Sequence, residues 1–276
     1  MTRPVLGAVL PGELTQARLE LHWAAQLVSA AGTSLLPAEE DFSHTNLGWD
    51  PRLGALVGHD VGAKHARAAL VFDGLGLVVI EGERERASLR LSGRTLSQAL
   101  AWLGSATAGD DAALGLPVHD MPAYPVGEGA VFSDEGAAAR TELAGWFEEA
   151  FASIGELAAH EDTAAPVRCW PHHFDVASLI SLDTKAGAEE PRSIGVGFSP
   201  GDGSYDQPYF YVTPWPYPEA KALPPLVAGA HWHTDGWTGA VLTAERVISV
   251  PAPEQQHTIR QALARSVAAC RDLFGV

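Results

Sequence analysis

The hydrophobic spacing of this chain alternates between the period of a helix and that of a strand, and this alternation limits the fold. An apolar stripe at steps of three, four and seven predicts a helix over about 13–31, ended by Gly32 and Pro37. Strand-like runs follow between 46 and 94, where Asp73-Gly74 supplies a tight hairpin turn. Thr95 and Gln98 then match a capping box at the start of a second helix.

The same order recurs after residues 104–131, which are rich in Gly, Ala, Asp and Pro and predict a loop or linker. Ser133 begins a third helix, and Gly275 ends the last one. Strands are predicted between these helices, at 167–182, 192–199, 208–213 and 230–248. Strands grouped between helices, without βαβ units, predict an α+β fold of mainly antiparallel sheet and about four helices.

The two helix–strands–helix halves, 1–106 and 132–276, have a similar plan within one unit, 1–276. The two halves share one short local similarity, since H-T-N-L-G-W at 44–49 resembles H-T-D-G-W at 233–237. A match of this length is compatible with duplication or with chance, so both explanations stay open.

The charge balance excludes several classes of partner. The chain has 18 lysines and arginines against 34 aspartates and glutamates, which gives a formal net charge of −16. Nucleic acids and anionic membrane surfaces require clustered basic residues, so we expect neither as a partner. The two cysteines, and the absence of a secretory or transmembrane apolar run, predict a cytoplasmic protein without a disulfide framework.

Histidines and carboxylates recur at two-residue spacing in two predicted strands. Side chains two apart on a strand share a face, so His231, His233 and Asp235 would project together. Cys169, His173 and Asp175 would do the same. The pattern predicts a divalent metal site, zinc or another first-row metal, formed by these histidines and aspartates: His173, Asp175, His231, His233 and Asp235. Two alternatives stay open, namely structural histidines that are hydrogen-bonded to their surroundings and metal-free acid–base use.

A serine nucleophile is a weaker hypothesis. Gly197 to Gly201 matches G-x-S-x-G around Ser199. The residue after the serine is Pro200, which has no backbone N–H for an oxyanion hole, and no helical pattern follows. We therefore interpret 199–207 as a turn between two strands.

Aromatic residues cluster in the same part of the chain. Alternating tyrosines and tryptophans accompany prolines over 208–218 and predict either the lining of a ligand pocket or the packing of an edge strand. The candidate ligand-binding residues are Tyr209, Tyr211, Trp215 and Trp237.

Four segments in combination resemble an uncharacterised bacterial family, a domain of unknown function. They are L-H-W-A-A-Q-L-V (21–28), C-W-P-H-H-F-D (169–175), F-S-P-G-D-G-S-Y (198–205) and P-Y-F-Y-V-T-P-W-P (208–216). The resemblance covers nearly the whole chain and implies one structural unit, but it implies no activity.

Two functional hypotheses follow. In the first, the chain is a metal-dependent, hydrolytic enzyme acting on a small molecule, with Asp206 as the general base for a metal-bound water. In the second, it is a non-catalytic module that binds a small molecule or a protein through its aromatic surface, and its histidines are structural.

Overall fold

The structure is a computed structural model that describes residues 4–109, 112–183 and 191–276. The described residues form an α+β fold with two antiparallel sheets, as the sequence predicts. The chain divides into two compact units. The amino-terminal unit comprises Glu13–Ala144 and Cys169–Phe174, and the carboxy-terminal unit comprises Met1–Gly12, Gly145–Arg168 and Asp175–Val276.

The amino-terminal unit contains a five-stranded meander, in which each strand pairs with the next one along the chain. Its elements are α1 (Thr15–Leu35), β1 (Gly48–Asp50), β2 (Ala55–Val57), β3 (Ala66–Val71), β4 (Gly76–Glu81), β5 (Arg84–Arg90) and α2 (Leu96–Ala108). The hairpin predicted at Asp73-Gly74 connects β3 and β4, and the capping box of Thr95 and Gln98 begins α2. Helix α1 continues through Gly32 to Leu35, so the predicted end at Gly32 was wrong.

Helix α3 (Ala137–Ala158) begins in the amino-terminal unit and ends in the carboxy-terminal unit. The elements that follow it are β6 (Arg168–Trp170), β7 (Asp175–Ser181), β8 (Ser193–Ser199), β9 (Tyr209–Trp215), β10 (His231–His233), β11 (Gly239–Thr243), α4 (Ala244–Ile248) and α5 (Ala252–Phe274). Their strands form a six-stranded sheet in the order β10-β11-β9-β8-β7-β6.

Two predicted strands differ from the structure. The strand predicted over 167–182 is divided into β6 and β7 by a turn in which Phe174 has a φ of 59°. The strand predicted over 230–248 is two strands followed by α4. Both turns contain turn-forming residues, Pro171 in the first and Asp235-Gly236 in the second, which the two-residue spacing of the neighbouring side chains does not take into account.

One face of the larger sheet forms the core of the carboxy-terminal unit. Helix α5 packs on β8, β9 and β11. Trp146 of α3, fully buried as its helical stripe predicts, has its ring 6.2 Å from that of Phe198 and stacked on it. The opposite face of the sheet is therefore the one on which polar side chains can gather. Among the described residues, no helix combines the length and the apolar character needed to cross a membrane.

Candidate functional site

The second face of the larger sheet carries histidine, tyrosine and aspartate side chains of the carboxy-terminal unit. Cross-strand pairing runs from Gly197 to Tyr211, from Tyr211 to Val241 and from Val241 to His231, which places these residues in one row. Because side chains alternate along a strand, the neighbours two residues away share this face. This surface, the polar face, includes Asp175, Gly195, Gly197, Tyr209, Tyr211, Thr213, His231, His233 and Gly239.

Glycines form the floor of the polar face where its aromatic rings lie. A Cβ atom at Gly197 would overlap the ring of Tyr211, its cross-strand partner. A Cβ atom at Gly239 would be 2.5 Å from Cζ3 of Trp237. The two rings therefore lie directly on the backbone, in positions that any larger residue at 197 or 239 would change.

Two tyrosine hydroxyls on this face donate to carboxylates. Tyr211 Oη donates to Asp175 Oδ2 at 2.5 Å, and Tyr209 Oη donates to Asp202 Oδ2 at 2.5 Å. Burial, followed by the negative charge of Asp175, raises the pKa of Tyr211 well above its ordinary value. Burial and the bond to Asp202 raise the pKa of Tyr209 as well. Both phenols are therefore held in their neutral form as hydrogen-bond donors.

Tyr205 joins the two histidines of β10. Its hydroxyl lies 3.0 Å from His231 Nε2 and 3.1 Å from His233 Nδ1, while His233 Nε2 lies 2.7 Å from the carbonyl oxygen of Asp235. A carbonyl oxygen only accepts, so the proton of a neutral His233 is on Nε2, and Nδ1 accepts from Tyr205. The Tyr205 oxygen can then accept from His231. Burial and the neighbouring His233 lower the pKa of His231, which favours its neutral form.

Four aromatic rings form a closed circuit beside this chain of hydrogen bonds, and we call them the aromatic box. The box consists of Tyr205, Tyr209, Trp237 and His233. In that order around the circuit, neighbouring ring centroids are 4.9, 6.4, 4.3 and 5.4 Å apart. Tyr209 is buried at the base, with 4% of its surface exposed, whereas the other three residues keep partial exposure.

The structure brings together only part of the predicted metal set. His231 and His233 share a face, as their spacing predicts, and both contact Tyr205. Asp235 lies beyond the end of β10, where its backbone oxygen is bonded to His233 and the residue is exposed. Among the residues that the structure describes, no group of three or more histidine, cysteine, aspartate or glutamate side chains has an arrangement that could hold a metal ion. The divalent metal stays a prediction.

His173 and Asp175 are separated by the turn at Phe174. Cys169, His173 and Asp175 do not share one strand face, contrary to the prediction, because residues 171–174 are not in a strand. Asp175 begins β7 and bonds Tyr211 in the carboxy-terminal unit. His173 belongs to the amino-terminal unit.

The remaining candidates lie near the ends of β9. Asp206, the predicted general base, is exposed in the loop between β8 and β9. Trp215 lies at the other end of β9, half-exposed, with its ring 5.2 Å from that of Tyr217. Ser199 accepts a hydrogen bond from the N–H of Gly201, and residues 200–208 form turns rather than a helix, as predicted.

The C-W-P-H-H-F segment forms a second cluster, within the amino-terminal unit. The carbonyl oxygen of Pro171 accepts from His22 Nε2 at 2.9 Å and from Gln26 Nε2 at 2.7 Å, so the turn is fixed to α1. The His172 ring centroid lies 4.3 Å from that of His173 and 5.4 Å from that of His119. Burial and these neighbours lower the pKa of His172 to about 4. Burial also lowers the pKa of His22 to about 4.

Several features of the polar face were not identified as functional from the sequence. The sequence pattern indicates only a turn for Tyr205 and Asp202, although both contribute to the box and its hydrogen bonds. The spacing of Gly195 and Gly197 in one strand, opposite Thr213 and Tyr211 in the next, was an available signal for a glycine floor. The chain matches no family model, no curated protein and no solved structure, so this geometry is the basis for assigning a function.

Proposed function

We propose that the chain is a small-molecule-binding module and that the polar face is its binding site. The observation that carries the proposal is a group of aromatic rings fixed by hydrogen bonds over a floor of glycines, with three of its four box residues partly exposed. Rigid aromatic rings provide a large contact area at a small cost in conformational entropy. A ligand would meet a surface that is already organised.

The hydrogen bonds of the histidines support binding rather than catalysis. Both ring nitrogens of His233 have partners, Tyr205 and the Asp235 carbonyl. A metal ion at either nitrogen would replace one of these bonds. The same bonds hold the His233 ring against Trp237, at a centroid distance of 4.3 Å. This arrangement corresponds to the hypothesis in which the histidines are structural.

A screen of small fragments by ligand-observed NMR tests this proposal. The set should include neutral, cationic and anionic compounds, and each hit should be measured again with Trp237→Ala and with Tyr217→Ala. Tyr217 is a matched control because its exposed ring lies against Trp215, outside the box. We expect hits whose affinity falls about tenfold or more in Trp237→Ala and is unchanged in Tyr217→Ala. The absence of hits, or hits that are insensitive to Trp237, would contradict the proposal.

A metal-dependent hydrolytic enzyme is the second candidate function. It is favoured by one observation, that a nitrogen of His231 and a nitrogen of His233 converge on a single atom, the Tyr205 oxygen. A divalent ion that replaced this hydroxyl would take both nitrogens and acidify a bound water. Metal analysis of the protein after growth in metal-supplemented medium, with His233→Ala as the control, tests this function. A stoichiometry near zero in the unaltered protein would exclude it.

A further inference from the structure

We propose that the aromatic box recognises an alkylated ammonium group, so that the ligand of the polar face is a small organic cation. This inference rests on the proposed binding function and adds the chemical class of the ligand. It follows from three properties of the box, namely the arrangement of its rings, the use of its polar atoms and the charge that surrounds it.

The rings are close enough to act together on one cation. Neighbouring centroids around the circuit are between 4.3 and 6.4 Å apart. His233 and Trp237 contact each other at 4.3 Å, so a cation would lie on the solvent side of the box, within the ~6 Å range of cation–π attraction to the ring surfaces that the partly exposed members present. Tyr209 forms the base, and Tyr205, His233 and Trp237 are the partly exposed members that a ligand would reach.

The polar atoms of the rings are already used within the protein. Tyr209 Oη donates to Asp202, and Trp237 Nε1 donates to Ser204 Oγ at 3.2 Å. The Tyr205 hydroxyl is shared between the two histidines, and His233 Nε2 is bonded to the carbonyl of Asp235. A ligand would therefore contact mainly the aromatic surface of the partly exposed rings.

Carboxylates give this part of the polar face a negative charge. Asp202 accepts from Tyr209, and its other oxygen accepts from the N–H groups of Ser204 and Tyr205, so most of its acceptor capacity is used within the protein while its charge remains. Asp175 holds Tyr211 in the same way. The charge of Arg246 reaches His231, which is not a member of the box.

These properties discriminate among ligand classes. An anion would meet the charge of Asp202 and Asp175. A sugar or a primary ammonium requires hydrogen-bond partners, and the polar atoms of the box are committed. An alkylated ammonium has no such requirement, since it binds through charge and apolar contact with ring faces. It is therefore the class that fits this surface.

The test compares choline with its neutral carbon isostere, in which a tert-butyl group replaces the trimethylammonium group. Binding of each probe to the full chain at pH 7.5 is measured by titration calorimetry and ligand-observed NMR. We expect choline to bind about tenfold more tightly than the isostere, as cation–π attraction over several rings predicts. Trp237→Leu should weaken choline binding by a similar factor.

Charge is tested separately with Asp202→Asn, in which the amide oxygen can still accept from the N–H groups of Ser204 and Tyr205 and the amide NH2 can donate to Tyr209 Oη, so that the negative charge is removed and the turn is kept. Asp162→Asn is the matched control, because Asp162 is an exposed aspartate of the same unit, outside the polar face. We expect Asp202→Asn to weaken choline binding severalfold without changing the affinity for the isostere. Asp162→Asn should change neither.

The outcomes separate the two proposals. If the isostere binds as tightly as choline, or if other fragments bind in a Trp237-dependent manner and choline does not, the cationic ligand class is wrong and the binding function stands. If choline binds equally well to Trp237→Leu, the box is not its site and this inference is wrong. If neither the probes nor any fragment binds, both proposals fail.

Discussion

The ring of Tyr211 lies directly on Gly197, its partner in the adjacent strand, and a Cβ atom at that position would overlap the ring. This contact holds the Tyr211 hydroxyl 2.5 Å from Asp175 Oδ2. It links β7, β8 and β9 through one side chain. The same holds for Trp237 on Gly239: a glycine, which has no side chain, lets an aromatic ring lie close to the sheet.

Gly197→Ala tests this contact. We expect the free energy of unfolding to fall by about 1–3 kcal/mol, because the added methyl group forces the Tyr211 ring to move. Urea unfolding followed by circular dichroism measures the change. Gly203→Ala is the control, since nothing lies within 4 Å of a Cβ there, and its free energy of unfolding should be nearly unchanged. Equal free energies of unfolding for Gly197→Ala and Gly203→Ala would show that the position of the Tyr211 ring does not depend on a glycine at 197.

The tyrosines should ionise at a higher pH in the folded protein than in the unfolded chain. Burial raises the pKa of four of the five tyrosines: Tyr124, Tyr205, Tyr209 and Tyr211. In the unfolded chain these phenols ionise near pH 10. The stability that comes from their neutral form is therefore present below pH 10 and is lost as the pH rises above it.

Absorbance at a phenolate wavelength, followed as the pH is raised, measures this shift of tyrosine ionisation. At pH 10.5 we expect the folded protein to show a smaller phenolate signal than the same protein in guanidinium chloride. Tyr211→Phe should not reduce the signal of the folded protein at that pH, since Tyr211 is neutral there. A folded-state titration that matches the unfolded one would contradict the buried, carboxylate-bonded tyrosines.

The buried His22 should lower the free energy of unfolding as the solution becomes acidic. Burial lowers its pKa from 6.5 to about 4. Between these values the unfolded chain binds the proton and the folded chain does not, so stability is complete above pH 6.5 and falls as the pH decreases toward 4. A shift of this size corresponds to a loss of about 3 kcal/mol.

His22→Gln is the variant to compare, because glutamine does not titrate and still provides an N–H donor for the Pro171 carbonyl. Urea unfolding at several pH values from 7.5 to 4 should show a shallower decline for the variant than for the unaltered protein. Parallel pH profiles would show that His22 is not responsible for the acid sensitivity.

The hydrogen bonds of His233 specify its tautomer. The Asp235 carbonyl accepts from Nε2, which leaves Nδ1 as the acceptor for Tyr205. Nitrogen-15 NMR should therefore show that the neutral tautomer of His233 carries its proton on Nε2. Tyr205→Phe removes the donor and should cost about 1 kcal/mol of unfolding free energy. A proton on Nδ1 in the unaltered protein would reverse the direction of this chain of hydrogen bonds.

Much of the fold could be predicted because local patterns determine it. The apolar stripe of α3, the hairpin at Asp73-Gly74 and the cap at Thr95 depend on neighbouring residues, and all three are confirmed. The positive φ of Phe174 could not be predicted. The turn has local hydrogen bonds from the N–H groups of His173 and Phe174 to the Trp170 carbonyl, but the Phe174 ring also stacks on His22 of α1 at 5.2 Å, a tertiary contact that no local pattern indicates.

The candidate site could be predicted only in part, because local patterns do not indicate tertiary contacts. The spacing of His231 and His233 places both on one face, and this is confirmed. Their partner Tyr205 is 26 residues from His231 in the chain and lies in a loop, where no periodicity indicates the direction of a side chain. The hydrogen bonds that commit the polar atoms of the aromatic box are likewise a product of tertiary structure.

The most direct measurement is an NMR experiment that detects close approach between the methyl protons of choline and the ring protons of the full chain. We expect cross-peaks from these methyl protons to Tyr205 and Trp237, and their loss in Trp237→Leu. Cross-peaks to Trp215 and Tyr217 instead, or cross-peaks that persist in Trp237→Leu, would place the ligand elsewhere and contradict the assignment of the aromatic box as the binding site.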